Sequence, residues 1–588
     1  MNIINSNKIS PKSIFESIYQ WLIEGITIRS KNILFVYFVI ISLLEIFAYV
    51  KGGVFSIVAS RIWLLTAFSL FLIFIGYVIY KTIWDIRNKK IFNIIGFLCL
   101  LVILFYYIGN LEYGDINADA TQQLAAGLSS FKSDDWNYTG LAFLGYANRQ
   151  YIIAAIPSLL FGRSVFTLHL GFAGLFIIGL TMLYFEFRNW LKSYDMEEEL
   201  ALVPCYIIMA FRFIVEYYLN YEQAITPVAL TMMGIALFMK LYRKMDSFTV
   251  IAITWVGCFY CDSYTPIIAS LGLLICFILL YMLDICYKNI QLISTEKSSN
   301  LCKEIFAKIE VLCGIICTIG CFFIATLLGK REDRLTSMRE DIDLVSFAIE
   351  VWTEFFEDRN AVFFGIFLGI VLIYIFLALT LRLKIYDFII SIWVFGVVLF
   401  ANVLVGYTSY EKSWILQRNM IIIPVLVTAI FLWAIRIIKK YNIKMNNKFL
   451  VTILLFFGIV GVSNFGKEHQ SFQYFRYIQP MKYMISYAED ILEENEVSDT
   501  DDFNIILITD NLLQSNIYDY AKFFYPNAYA CSTTSDGEIS NIDWNKKTFI
   551  FAESEEMIQR WFDVGIQSRV YKNTRYKTDI TWYYAEIR

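Results

Sequence analysis

The chain has 588 residues, of which 58% are apolar and 17% charged, with a net charge of −4 and a mean hydropathy of +0.56. That is too apolar for a water-soluble globule and makes a membrane the expected solvent. The acidic balance gives no basis for nucleic-acid binding, and with only two histidines, His169 and His469, a histidine-built metal centre is not expected.

A helix needs about 20 mostly apolar residues to cross hydrocarbon, because each backbone N–H and C=O must find its partner inside the segment. About thirteen stretches meet that demand. They are 33–50, 62–80, 91–109, 165–185, 200–216, 224–242, 248–262, 265–283, 309–329, 361–381, 387–406, 416–437 and 448–464. Residues 1–32 are mixed in charge and amphipathic, without a basic tip or a small-residue cleavage site, so the first span is expected to act as an uncleaved anchor. Lysines and arginines collect on short loops at Lys81, Arg87, Lys89 and Lys90, at Lys240, Arg243 and Lys244, and at Arg436, Lys439, Lys440, Lys444 and Lys448. Those loops are expected on the cytoplasmic side of the cell membrane.

An odd number of spans then puts the N-terminus inside, and residues 110–164, 330–360 and 465–588 outside. The run from Lys330 to Arg334 is basic for an outer loop but is offset by Glu332, Asp333, Glu340, Asp341 and Asp343. The eleven cysteines lie almost entirely in or beside predicted spans, with Cys531 alone in the last region, so no disulfide framework is indicated.

The expected domain plan is a cytoplasmic segment at 1–32, a transmembrane domain at 33–464 and a C-terminal extracytoplasmic domain at 465–588. Behind the third span, residues 110–164 form a loop long enough to expect a function. Within it, Asp119 to Phe131 reads as a short amphipathic helix with Leu124 and Leu128 on one side. Residues 151–162 are apolar but too short to span, which suggests an interfacial or re-entrant piece. The last region turns polar, with strand-like runs at Asn504–Thr509 and Thr548–Ala552 and helical stretches near 517–525 and 554–563, the pattern of a small α/β domain.

Two carboxylates stand out in the first outer loop. Asp115 and Asp119 are one helical repeat apart, so on a helix they share a face. Such a pair can hold a divalent cation through oxygen ligands or supply a general base, and the pattern requires no ion for the second role.

The order Asp119-Ala-Thr-Gln-Gln-Leu-Ala-Ala-Gly, then Asp134-Asp135-Trp136, then Arg149-Gln-Tyr, then Leu160-Phe-Gly-Arg-Ser164 resembles the first outer loop of GT-C glycosyltransferases. The likeness is to the branch with the protein O-mannosyltransferases and aminoarabinose transferases, and it covers roughly residues 91–190. It implies a GT-C-like, α-helical polytopic membrane protein that moves a hexose or pentose from a polyprenyl-phosphate carrier to a glycan, lipid or protein acceptor, with inversion. It places Asp119 at the leading catalytic acid and Arg149 where a cation meets the donor phosphate. The chain departs from the pattern at Ala120, where an acid is usual, and at Gln150 and Tyr151, where prolines are usual.

A second acid is expected from the turn after the fifth span, where Glu222 is preferred to Glu216, with Asp262 ranked lower. Arg418, at the entry to the twelfth span, and Lys412 are further candidates for holding phosphate. The tyrosines and tryptophans are expected to form interfacial belts and core. A transporter or lipid-linked-sugar flippase is the rival class, and it is expected to show internal halves or broken helices. A third class is a non-catalytic membrane scaffold that displays the C-terminal domain. It would keep Asp119, Glu222 and Arg418 far apart.

Overall fold

The computed structural model describes residues 20–51, 54–111, 153–219, 225–262, 298–329, 422–440, 447–478, 480–498 and 501–510, most of 523–587, and the positions Ser17, Leu124, Ala125, Gly127, Leu128 and Ser346. In chain order the helices are α1 (Ile28–Lys51), α2 (Val54–Arg87), α3 (Ile91–Gly109), α4 (Ile156–Phe161), α5 (Val165–Ser193), α6 (Leu202–Met209), α7 (Arg212–Leu219), α8 (Ile225–Arg243), α9 (Ser247–Asp262), α10 (Ser298–Gly329), α11 (Ile422–Lys440), α12 (Asn447–Ile478) and α13 (Pro480–Glu494). The C-terminal region adds β1 (Asn504–Ile508), β2 (Tyr529–Thr533), β3 (Thr548–Ala552), α14 (Glu555–Gln559), β4 (Ile566–Asn573) and β5 (Thr578–Ile587).

Among the described residues, six stretches are long and apolar enough to cross a membrane: Ile28–Phe47, Leu65–Arg87, Ile91–Gly109, Val165–Ser193, Ile225–Arg243 and Asn447–Glu468. They coincide with six of the expected spans. The expected spans at 265–283, 361–381 and 387–406 lie outside the described residues. The expected fifth span, 200–216, is corrected: it is a 3₁₀ turn at Glu198–Ala201 followed by two half-helices, α6 and α7, separated at Ala210 and Phe211. Neither residue is a glycine or a proline, which is why reading breakers from the sequence passes over the interruption.

The chain divides into two compact units. The first comprises residues 1–59, 178–201 and 227–444. Here α1 lies along α10, and α10 along α9. Close approach depends on Gly314, where an added Cβ would fall 2.8 Å from Phe38. Trp255 donates its indole N–H to Tyr37, and Lys31 pairs with Glu310. Arg243, one of the cations expected on the loop at 240–244, finds a carboxylate: its Nε donates to Glu186 at 2.9 Å, and Arg188 on α5 donates to Glu198 through Nε at 3.1 Å and Nη2 at 2.7 Å.

The second unit comprises residues 60–177, 202–226 and 445–588. The turn joining α2 to α3 carries Lys89 at φ 53°, and the Lys89 and Lys90 N–H groups return to the Ile86 and Asp85 carbonyls at 3.1 and 3.0 Å. This left-handed closure satisfies the last carbonyls of α2 and turns the chain straight into α3. Leu124, Ala125 and Leu128 are helical and buried, as expected for the apolar side of the amphipathic segment. Gly171 on α5 makes room for that segment and for the backbone of 154, since a Cβ there would lie 2.5 Å from the Ala154 carbonyl oxygen and 3.1 Å from Leu124. Gly171→Ala is therefore expected to cost about 1–3 kcal/mol through overpacking. A thermal melt in detergent should fall by several degrees, and an unchanged midpoint would show that the loop does not seat there.

In the C-terminal domain the sheet order is β2-β1-β3-β5-β4. β1 runs parallel to both β2 and β3, while β5 is antiparallel to β3 and β4. The two predicted strands are the fully buried central pair, β1 and β3, whose unbroken apolar runs are the mark of parallel strands covered on both faces. β2, β4 and β5 were not anticipated as strands. The expected helix near 554–563 is the short α14, capped where Ser554 accepts from the Met557 N–H at 3.3 Å. α13 packs on the sheet through Tyr487 against Phe551 and is tied to β4 by Arg569 on Asp490 at 2.8 Å.

Burial of Cys531 on β2 pushes its thiol up to about 11 from an ordinary 9.0. Below 9 both folded and unfolded chains hold the proton. Between 9 and 11 the unfolded chain releases it and the folded one keeps it, so this group's contribution to stability is lost as pH rises through that window. Because the thiolate is the reactive form, maleimide labelling of Cys531 at pH 8 should run roughly a hundredfold slower in the folded chain than in denaturant. Peptide mass spectrometry distinguishes it from the other cysteines, and equal rates would refute the burial.

Candidate functional site

The site residues expected from the sequence lie largely outside the described residues. Asp115, Asp119, Arg149, Glu222, Lys412 and Arg418 all lie outside the described residues. Asp262 is the last residue of α9, and Glu216 lies half-buried on α7. The described residues give the frame of helices on either side of the first long loop.

That frame begins at α3, whose end at Gly109 leads into the loop. Tyr206 donates to the Gly96 carbonyl at 2.8 Å and Tyr218 to the Leu104 carbonyl at 3.2 Å, so α6 and α7 run beside α3. Gly96 and Leu104 are about 12 Å apart along the helix and both lie within the apolar span. The break at Ala210 and Phe211 therefore falls between them, beside that apolar stretch. At the depth of an apolar span irregular backbone is tolerated only where protein or a polar cavity satisfies it.

α12 supplies that satisfaction from one face. Tyr206 and the Met209 carbonyl lie against Gly458 and Gly461, where even an added Cβ would sit at ordinary contact, 3.4 and 3.5 Å away. A turn further on, Asn464 Nδ2 donates to the Ala210 carbonyl at 2.8 Å, capping the end of α6. A further turn brings Glu468, which accepts from Nε of Arg212, the first residue of α7. Between them Phe465 stacks on Tyr107 with ring centres 4.8 Å apart and meets Tyr218 edge-on at 5.8 Å. Tyr107 also donates to the Val462 carbonyl at 3.4 Å. The pattern Gly458, Gly461, Asn464, Phe465, Glu468 thus marks the face of α12 that meets α6 and α7, bringing polar groups and stacked rings beside the end of α3.

The far end of the loop is also anchored. Gly162 adopts φ 84°, a backbone region open to glycine, at the Leu-Phe-Gly ending. Ser164 and Thr167 then cap α5 reciprocally, with N–H to Oγ distances of 2.9 and 3.2 Å. Arg163 Nη1 donates to the Phe523 carbonyl at 2.8 Å, fastening this corner to the C-terminal domain.

A second polar cluster lies at the carboxyl ends of β1, β2 and β3. Thr509 donates to Glu553 at 2.8 Å, while Asp510 accepts from the Ser535 N–H and hydroxyl at 3.0 and 2.7 Å. Those two donors hold the Asp510 carboxyl below its ordinary range. In open parallel sheets the carboxyl edge at a change of winding direction is where ligands bind. Among the described residues no three His, Cys, Asp or Glu side chains converge to hold a metal.

Sequence reasoning missed Arg212 and Glu468. Arg212 was folded into an apolar span, although an arginine inside such a run was the available signal. Glu468 lies just beyond the expected last span, one helical turn after Asn464. No protein-family model matches the chain, and no curated protein or solved structure is similar to it.

Proposed function

We propose that the chain is a GT-C-like membrane glycosyltransferase that moves a sugar from a polyprenyl-phosphate carrier to an acceptor on the outer face of the cell membrane. The observation that carries the reading is the order of features from Asp119 to Ser164 behind an apolar span. It is supported by the seating of Leu124 and Leu128 in the bundle and by the left-handed Gly162 at the Leu-Phe-Gly ending. In this reading Asp119 takes the proton of the acceptor hydroxyl as the sugar leaves its phosphate, with charge developing as in an oxocarbenium ion. Asp115 and Glu222 assist as neighbouring acids, and Arg149, Arg418 and Lys412 offset the negative charge that grows on the departing phosphate. Asp510, Thr509, Ser535 and Glu553 offer carboxylates and hydroxyls suited to an acceptor's sugar hydroxyls, so the C-terminal domain holds the acceptor. The span count of about thirteen and the outside position of 465–588 belong to the same proposal.

The interrupted helix α6–α7 favours a second reading, a transporter or lipid-linked-sugar flippase, since discontinuous helices are a device of substrate translocation. Reconstitution in liposomes with a radiolabelled polyprenyl-phosphate sugar separates the two. Transfer predicts sugar cleaved from the carrier and delivered to a hydroxyl acceptor. Movement of intact lipid-linked sugar between leaflets, without cleavage, would replace the first reading by the second.

A further inference from the structure

Arg212 and Glu468 belong to none of the roles that the family likeness assigns, yet Arg212 stands at a break between two apolar helices and Glu468 at the end of the apolar stretch of α12, where ionisable groups are costly. From their geometry we infer that Arg212, oriented by Glu468, binds the phosphate of a lipid-linked phosphate at the root of the first long loop. The identity of that lipid as the sugar carrier rests on the proposed function; the phosphate chemistry does not.

The pair is asymmetric. Glu468 is 5% exposed and its carboxylate is engaged by Arg212, whereas the arginine side chain is 23% exposed. Arg212 donates Nε to Glu468, and among the described residues its two amino groups have no other partner. A guanidinium carries five N–H donors in a planar fork, so one bond fixes its orientation and leaves a bidentate edge open. That edge matches the oxygens of a phosphate. Arg212 also opens α7, whose first-turn N–H groups add partial positive charge at the same place.

The pair stands among apolar helices: α12 is apolar from Asn447 to Glu468 and α3 from Ile91 to Gly109, surfaces compatible with a lipid tail. Phe465, one turn before Glu468, stacks on Tyr107 and meets Tyr218 edge-on. A pair that merely pinned the helices together would have no need for a partly exposed guanidinium with an open fork.

The test is binding by the full-length chain in detergent micelles, using undecaprenyl phosphate, dioleoylphosphatidylglycerol and inorganic phosphate as probes. The wild type should bind undecaprenyl phosphate saturably, and the double variant Arg212→Met with Glu468→Leu, which replaces both charges with apolar side chains of similar volume, should lose roughly tenfold to a hundredfold in affinity. Glu468→Gln keeps an oxygen acceptor for Nε and should retain binding. Competition by inorganic phosphate supports recognition of the phosphate itself. Equal displacement by phosphatidylglycerol supports the phosphate site but assigns it to bulk headgroups rather than a carrier. Unchanged affinity in the double variant overturns the inference, as does loss in Glu468→Gln equal to that in the double variant. Binding through Arg212 without any sugar transfer would leave this site standing and remove the transferase reading. Transfer with Arg212-independent binding would do the reverse.

Discussion

Replacing Asp119 with asparagine is expected to slow sugar release from the polyprenyl-phosphate carrier by about a hundredfold to ten-thousandfold, the usual contribution of a positioned general base. Asparagine keeps the size and much of the hydrogen bonding of aspartate but cannot accept the proton. Membrane insertion and the amount of protein should therefore stay as in the wild type. The rate is read in proteoliposomes from labelled donor, and the companion Asp115→Asn is expected to lose less, since Asp115 shares the helical repeat but not the family position. Full activity in Asp119→Asn would remove that residue from the chemistry. A loss in Asp115→Asn exceeding that in Asp119→Asn would exchange their roles.

The second large effect concerns stability. Arg212→Ala leaves Glu468 buried without its cation, a situation that costs about 3–5 kcal/mol when one member of a buried pair is removed. Replacing both members by apolar residues of similar volume is often neutral or stabilising, because neither charge then has to be desolvated. The single variant should melt well below the wild type in detergent, and Arg212→Met with Glu468→Leu should recover most of the difference. If the single and double variants melt alike, the ion pair contributes little and α7 is held by its apolar face alone.

Parts of this architecture were legible in the sequence for clear physical reasons. The apolar spans were readable because hydrocarbon forbids unsatisfied backbone, which leaves long unbroken runs such as Ile91–Gly109. β1 and β3 were readable because burial on both faces makes them continuous apolar strings. β5 alternates through Trp582 and Tyr584 but is preceded by the charged, exposed β4, and its identity rests on cross-strand pairing rather than on local pattern. The break between α6 and α7 was not legible because no helix breaker marks it. It is maintained from a distance in sequence, by Asn464 and Glu468 on α12. For the candidate site, the amphipathic leucines of the loop were readable from the sequence, whereas the polar cluster beside the end of α3 depends on α3, α6, α7 and α12 meeting and shows only in the fold.

The most direct test of the central claim is a deletion of the gene followed by mass spectrometry of lipid-linked sugars and surface glycans. The account predicts that one polyprenyl-phosphate sugar accumulates, that one class of surface glycan loses a residue, and that wild-type protein restores both while Asp119→Asn does not. An unchanged pool of lipid-linked sugars together with unchanged surface glycans would contradict it.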